Sequence, residues 1–177
     1  PQWQDVLKHG EDSIYKDWFH IQDFPVVKEN LVNKRELSYH TFAFESYMPK
    51  LNTANPQVRD YLLSVATYWI EEFDIDAWRL DVANEVNHQF WRDFRKAVLA
   101  KKPDLYILGE VWHTSQPWLN GDEFHAVMNY PLSDSIKDYF LRGVKKSHQF
   151  IDEINSQSMY YRQQISEVMF NLLDSHD

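Results

Sequence analysis

The feature that most constrains the fold of this chain is an alternation of short apolar runs with longer helical patterns after residue 55. Apolar runs typical of buried strands lie at 75–80, 105–108, 124–128 and 168–173. Patterns with apolar residues every three or four positions, which predict helices, occupy most of the sequence between these runs. Strands that alternate with helices build βαβ units, and the strands of such units pair in parallel. The sequence therefore predicts an α/β fold around a parallel sheet.

The predicted helices lie at 56–73, 88–99, 131–141 and 147–161. The first is the clearest, because apolar residues form one broad stripe along it. Asn55 is also placed to cap its first turn, and Pro56 suits the first helical position.

The first 55 residues have many aromatic side chains but no sustained period. They predict short helical turns at 2–8 and 13–19 and a short strand at 39–44. Long irregular stretches in compact proteins are typical of lids and binding loops. We therefore divide the chain into an irregular excursion, 1–55, and an α/β segment, 56–177.

Composition and charge narrow the class of function. The net charge of −9 argues against a nucleic-acid partner, because phosphate binding depends on Lys and Arg. The absence of cysteine excludes disulfide bonds and thiolate metal sites in these residues. No apolar run approaches the roughly 20 residues of a membrane span, and no signal-peptide pattern opens the sequence. Aromatic residues make up 16% of the chain, which suits either core packing or stacking on sugar rings.

Three carboxylates follow predicted strands directly. Asp81 follows the predicted strand within the segment DAWRLDVANEV, with Arg79 two positions before it, so both side chains share a face of an extended segment. Arginine beside a carboxylate keeps the carboxylate ionised and fixes its direction, as a nucleophile requires. A structural ion pair at a strand end is an equally good interpretation of this motif alone.

Glu110 follows the next apolar run and precedes Trp112 and His113. Apolar and aromatic neighbours favour the protonated form of a carboxyl group, which a general acid needs. Trp112 could stack on a sugar. The alternative is a polar residue that caps the next element.

Asp177 and His176 follow the last apolar run. A carboxylate there could stabilise positive charge on a sugar carbon, and His176 could bind a sugar hydroxyl. A polar loop and a metal site are the alternatives. The metal site would use His113, His125, His176 and Asp177, although none of these histidines has the HExxH spacing.

Together these motifs resemble those of the α-amylase family of glycoside hydrolases. The resemblance rests on Arg79 and Asp81 in DAWRLDVANEV, Glu110 in GEVWH, and His176 and Asp177 in LLDSHD. MPKLN at 48–52 and VANE at 82–85 are similar to the subgroup of neopullulanases, cyclomaltodextrinases and maltogenic amylases.

The resemblance implies an incomplete (β/α)₈ TIM barrel that acts on α-glucans with retention of configuration. Residues 1–55 would be the end of the domain-B-like excursion after barrel strand three. Residues 56–177 would supply strands four to seven with their helices. A complete barrel needs at least about 200 residues, and the family's motif at strand three and its strand eight are absent. We therefore expect a fragment of a longer enzyme.

The resemblance also implies residue roles. Asp81 would be the nucleophile, Glu110 the general acid and then the base, and Asp177 the residue that binds sugar hydroxyls and helps distort the ring. Arg79 would orient Asp81, and His176 would contact the same sugar. The residues expected to shape the sites for the leaving or accepting sugar are Asn84, Glu85, Trp112 and His113.

The implied partners are α-glucans such as cyclodextrins, pullulan or starch, with no nucleic acid and no membrane. No cofactor is expected, and no residue here is assigned to the calcium that some full-length members carry. A cytoplasmic location and a homodimeric parent suit the subgroup. Two alternatives stay open: a fragment that binds maltosaccharides without cleaving them, and a barrel hydrolase that uses a metal.

Overall fold

The computed structural model describes residues 1–26, 37–43 and 45–176. The chain forms two compact units, Pro1–Leu62 and Leu63–Asp177. The boundary predicted at residue 55 stays a prediction. Within the described ranges, no helix combines the length and the apolar character that a membrane crossing requires.

The first unit has little regular structure. Helix α1 (Gln2–His9) is followed by 3₁₀ turns at Gly10–Asp12 and Lys16–Trp18, close to the predicted helical turns. The Trp3 ring packs on Phe19 and Tyr39, with ring centroids 4.9 and 4.7 Å apart. Instead of the strand predicted at 39–44, Tyr39 and Thr41 form single antiparallel bridges, and Phe44 lies outside the described residues.

Helix α2 (Pro56–Phe73) has the predicted bounds. The Asn55 side chain accepts a hydrogen bond from the Gln57 N–H at 2.8 Å, so the predicted cap is confirmed.

The second unit is built on a parallel sheet of three strands in the order β1 (Ala77–Leu80), β2 (Tyr106–Gly109) and β3 (Ala126–Val127). The register pairs Leu80 with Gly109 and Gly109 with Val127, so the carboxyl ends of all three strands lie at one edge. The prediction of parallel pairing is therefore confirmed.

Four helices of the second unit follow strands β1 and β3: α3 (His88–Lys101), α4 (Tyr130–Ile136), α5 (Ser147–Tyr160) and α6 (Gln163–Ser166). A π-helical turn, Lys137–Leu141, continues α4. Asn87 and Asn129 cap α3 and α4 by accepting hydrogen bonds from the Gln89 and Leu132 N–H groups.

Aromatic packing ties α3 to the sheet. Trp91 and Phe94 are buried, and the Trp91 ring packs edge-on against Phe124 at 5.2 Å. Phe124 also explains Gly109 at the end of β2, because a Cβ atom at that position would lie 2.6 Å from the Phe124 ring. The strand end that precedes Glu110 is therefore packed too closely for any side chain.

The prediction of a regular strand at 168–173 is wrong. Only a single parallel bridge joins Phe170 to Met128. Val168, Phe170 and Leu173 are exposed, and Leu172 alone is fully buried in this run. An apolar run forms a strand only beside a partner with free hydrogen-bonding groups, and β3 offers just two residues.

Candidate active site

Asp81 and Glu110 come together because they follow paired residues of neighbouring strands. The Glu110 N–H donates to the Leu80 carbonyl at 2.8 Å, and the Glu110 carbonyl accepts from the Ala83 N–H at 3.0 Å. These two bonds continue the β1–β2 pairing past the strand ends. They fix the backbone of Glu110 beside the turn that carries Asp81.

The Arg79 side chain joins the two carboxylates. One terminal nitrogen donates to Asp81 Oδ1 and the other donates to Glu110 Oε1. Burial works against the charge of Arg79, but the hydrogen bond to Asp81 and the charge of Glu110 outweigh it and raise the pKa of this guanidinium. Arg79 is therefore a cation held in place by hydrogen bonds to both carboxyl groups.

The two carboxylates differ in exposure. The Asp81 side chain is 69% exposed, whereas the Glu110 side chain is 4% exposed. An exposed carboxylate that is held in one orientation can approach a ligand atom as a nucleophile. A buried carboxyl group next to it suits proton transfer, which needs a defined position and little competition from water.

Glu110 has more polar contacts than the sequence predicts. Its Oε2 accepts from the Val82 N–H at 2.9 Å, and its Oε1 accepts from the Tyr130 hydroxyl at 3.3 Å in addition to Arg79. The carboxyl group is buried, but its surroundings are not mainly the apolar and aromatic ones that the sequence predicts. The arrangement fixes the direction of both oxygens.

The N–H that binds Glu110 belongs to a residue in an unusual conformation. Val82 has φ 45° and ψ 44°, the left-handed region that β-branched residues rarely adopt. Such strain costs on the order of 1–3 kcal/mol and persists only where the surrounding structure imposes it. Here the conformation directs the Val82 N–H at Glu110, and no sequence signal pointed to it.

Tyr130 is the second residue that sequence reasoning missed. It begins α4 shortly after β3, as Asp81 and Glu110 follow β1 and β2. That position at the end of a strand was the signal that could have identified it. The ring of Trp112 lies 5.8 Å from the Tyr130 ring and is 61% exposed. Its role as a stacking surface for a sugar stays a prediction.

For the other predicted site residues, the structure shows no direct contact with Asp81 or Glu110 among the hydrogen bonds and ring contacts described below. Asn84 and Glu85 are exposed on the 3₁₀ turn Ala83–Glu85, which begins two residues after Asp81. The His113 ring faces Trp118 at 6.0 Å, and its Nδ1 contacts the Thr114 carbonyl at 3.0 Å.

The third predicted carboxylate is not placed. Asp177 lies outside the described residues, and His176 is exposed in an irregular segment. Their roles stay predictions.

A comparison with known families identifies the constellation. The family described as "Alpha amylase, catalytic domain" matches residues 2–177. The chain belongs to the α-amylase family.

Individual relatives agree with this α-amylase assignment. The intracellular maltogenic amylase of Bacillus subtilis is 57% identical over 177 residues, which are 100% of this chain and 29% of that protein. A cyclomaltodextrinase of Geobacillus thermopakistaniensis is 58% identical over 175 residues, which are 99% of this chain and 29% of that protein. The predicted similarity to the subgroup of neopullulanases, cyclomaltodextrinases and maltogenic amylases is confirmed.

Solved structures confirm the fold class. A cyclomaltodextrinase structure superposes with a TM-score of 0.95 at 55% sequence identity. The match covers 100% of this chain and 30% of the cyclomaltodextrinase chain. A hydrolase of Arthrobacter globiformis in complex with cyclic α-maltosyl-(1→6)-maltose gives a TM-score of 0.92 at 38% identity, covering 99% of this chain and 38% of its own. The parallel strands and helices of this α-amylase family chain are thus part of a (β/α)₈ barrel, and the chain spans between 29% and 38% of the length of these relatives.

The predicted metal alternative gains no support from the geometry. His125 accepts a hydrogen bond from the Ile107 N–H at 3.0 Å through Nδ1, and its ring stacks on Tyr106. Among the residues that the structure describes, no three His, Asp or Glu side chains are grouped to hold a metal ion.

Proposed function

We propose that the natural protein containing this chain is a retaining α-glucan hydrolase or transglycosylase. Its substrates would be the α-1,4 glucosidic bonds of cyclodextrins, pullulan or starch, with α-1,6 bonds as a second linkage to test. The observation that carries the proposal is the single guanidinium of Arg79 bound to both Asp81 and Glu110. A retaining glycosidase needs two carboxyl groups about 5–5.5 Å apart, and a shared arginine is one way to keep them close.

In the first step, a carboxylate oxygen of Asp81 attacks the anomeric carbon, and the bond from that carbon to the leaving oxygen breaks. Glu110 gives its proton to the leaving oxygen. Asp81 suits the first role because it is exposed and oriented by Arg79. Glu110 suits the second because Val82 and Tyr130 fix the position of its oxygens.

In the second step, Glu110 takes a proton from water or from a sugar hydroxyl, and the resulting oxygen attacks the anomeric carbon. The bond to Asp81 breaks, and the configuration of the anomeric carbon is retained overall. Water gives hydrolysis and a sugar gives transglycosylation. Trp112 would stack on the leaving or accepting sugar, with Asn84, Glu85 and His113 nearby, while Asp177 and His176 would bind the sugar at the cleaved bond.

The first test is hydrolysis of β-cyclodextrin by the longest natural polypeptide that contains this sequence, compared with its Glu110→Gln variant. We expect kcat to fall by about 10²- to 10⁴-fold, the usual contribution of a general acid–base. The matched control is Glu167→Gln, an exposed residue whose side chain accepts a hydrogen bond from the Gln163 amide at 2.8 Å. Unchanged turnover in Glu110→Gln, or a product of inverted anomeric configuration by NMR, would contradict the proposal.

The two carboxylates supply the proton and the nucleophile, so we propose that the reaction needs no cofactor. We expect activity to be unchanged after dialysis against a chelator. Loss of activity that zinc restores would instead support the metal mechanism.

A binding role is the second candidate for the 177 residues by themselves, because the described sheet has only three strands. A cytoplasmic location is supported by the name of the Bacillus subtilis relative. A homodimeric parent stays a prediction that size-exclusion chromatography can test.

A further inference from the structure

A cavity in the Leu63–Asp177 unit lies apart from the carboxylates. Its volume is about 160 Å³, and its walls come from the segment after β2, the start of α4, helices α5 and α6, and the residues after α6. Arg79, Asp81, Glu110 and Tyr130 do not line it. Any ligand in this cavity would therefore have no direct contact with the proposed catalytic groups.

Two buried polar atoms in the cavity wall have no hydrogen-bond partner within the described part of the chain. They are Oε1 of Gln157 and Oγ of Ser166. The orientation of the Gln157 amide is fixed, because its Nε2 donates to the Pro131 carbonyl at 3.1 Å and that oxygen can only accept. Its Oε1 is therefore an acceptor directed away from those contacts, and buried polar atoms of this kind are usually satisfied by ligand or water.

The chemistry of the walls selects the class of ligand. None of the lining residues carries a charged side chain, which disfavours ions. Amides and hydroxyls alternate with apolar and aromatic groups such as Met169 and Tyr161. A sugar ring offers the same combination, since its hydroxyls bind polar groups and its C–H faces pack on apolar ones.

The size of the cavity narrows the class of ligand further, and hydrogen bonds between its walls hold it open. A protein cavity of about 150 Å³ is large enough to bind benzene, so a cavity of this size suits one six-membered ring rather than a disaccharide. Two hydrogen bonds join the segment after β2 to the end of α5: the Ser115 N–H donates to the Tyr161 hydroxyl at 3.0 Å, and the Gln116 amide donates to the Tyr160 carbonyl at 2.9 Å. Exposed Thr114 and Ser158 leave an entrance from solvent.

We propose that this cavity binds a single neutral pyranose of glucose size. The sugar hydroxyls would donate to Gln157 Oε1 and exchange hydrogen bonds with Ser166 Oγ. The inference goes beyond the proposed hydrolysis, since it requires neither Asp81 nor Glu110.

The probe is D-glucose, tested on the longest natural polypeptide that contains the chain. A crystal soaked in D-glucose should show the sugar in the cavity, in contact with Gln157 and Ser166. Titration should show that Ser166→Ala weakens this binding two- to tenfold, the effect of one neutral hydrogen bond. Ser158→Trp at the exposed entrance should abolish it without disturbing the buried walls.

The matched control is Ser156→Ala. Its hydroxyl donates to the Asp152 carbonyl within α5, and the residue does not line the cavity, so glucose affinity should be unchanged. Cyclohexanol, a ring of similar size with one hydroxyl, should bind more weakly than glucose.

Ordered water alone in the cavity at saturating glucose would overturn the proposal, as would unchanged affinity in both Ser166→Ala and Ser158→Trp. Tighter binding of cyclohexanol would overturn the pyranose assignment. Failure of the Glu110→Gln test would leave this result intact, because binding is measured here without turnover.

Discussion

Arg79 has two terminal nitrogens, and each binds a different carboxylate. Only a planar guanidinium can hold two carboxylates in this way, because the ammonium of lysine acts as a point charge without a fixed fork. The relative position of Asp81 and Glu110 therefore depends on the shape of Arg79 as well as on its charge.

We predict that Arg79→Lys lowers kcat/KM on β-cyclodextrin by about 10²-fold, since misplacement of catalytic groups by about 1 Å can cost that much. The thermal midpoint should change little in comparison. Arg162→Lys, at an exposed position, is the matched control. If Arg79→Lys stayed within threefold of the parent, charge alone would be sufficient and the positioning role would be wrong.

At the scale of elements, His125 extends the pairing between β2 and the residues before β3. Its backbone N–H donates to the Ile107 carbonyl at 3.0 Å, and its ring Nδ1 accepts from the Ile107 N–H at 3.0 Å. Protonation of Nδ1 would remove that acceptor. Burial, together with the charge of Arg95, lowers the pKa of His125 below its ordinary value of 6.5.

Because the folded pKa lies below the unfolded one, the unfolded chain binds more protons between these two values. Stability contributed by neutral His125 is therefore present above about pH 6.5 and is lost as the pH falls toward the folded pKa. We predict a small fall in the free energy of unfolding from this residue, because the ring is only half-buried and water screens part of the effect.

The measurement is urea unfolding at pH 7.5 and 5.5 for the parent protein and for His125→Asn. The asparagine side-chain oxygen can replace Nδ1 as acceptor but does not titrate. The variant should therefore lose less stability on acidification than the parent. Equal losses would show that His125 has no part in the pH dependence.

At the scale of the whole molecule, the carboxyl ends of β1, β2 and β3 lie at one edge, which is where barrels of this class keep their chemistry. The family's barrel closes with eight strands, whereas the described sheet has three. Closure encloses the substrate and fixes the groups that surround it. The chain also spans about 30% of the length of its relatives.

We predict that the 177 residues expressed alone bind maltosaccharides weakly and hydrolyse β-cyclodextrin at least about 10²-fold more slowly than the natural polypeptide. Circular dichroism must first show that the isolated chain is folded. Equal turnover from a folded sample would show that these strands are sufficient for catalysis.

The sequence by itself determined the long helices, the parallel strands β1 to β3 and the carboxylates that follow β1 and β2. Local periodicity and capping are properties of neighbouring residues, which is why the bounds of α2 and its Asn55 cap were predictable. Asp81, Arg79 and Glu110 were predictable for the same reason, since each follows or ends a short apolar run and strand ends of a parallel sheet meet.

Only the tertiary structure decided which distant groups complete the site. Tyr130 reaches Glu110 across 20 positions, and the left-handed Val82 directs an N–H at the same carboxyl group. The tertiary structure also leaves 168–173 without a regular strand. The neighbouring strand β3 has only two residues, and a single bridge joins Phe170 to Met128 just after it. Hydrogen-bond partners, burial and strain depend on what the folded chain brings together, and a linear pattern of residues contains only the local part of that information.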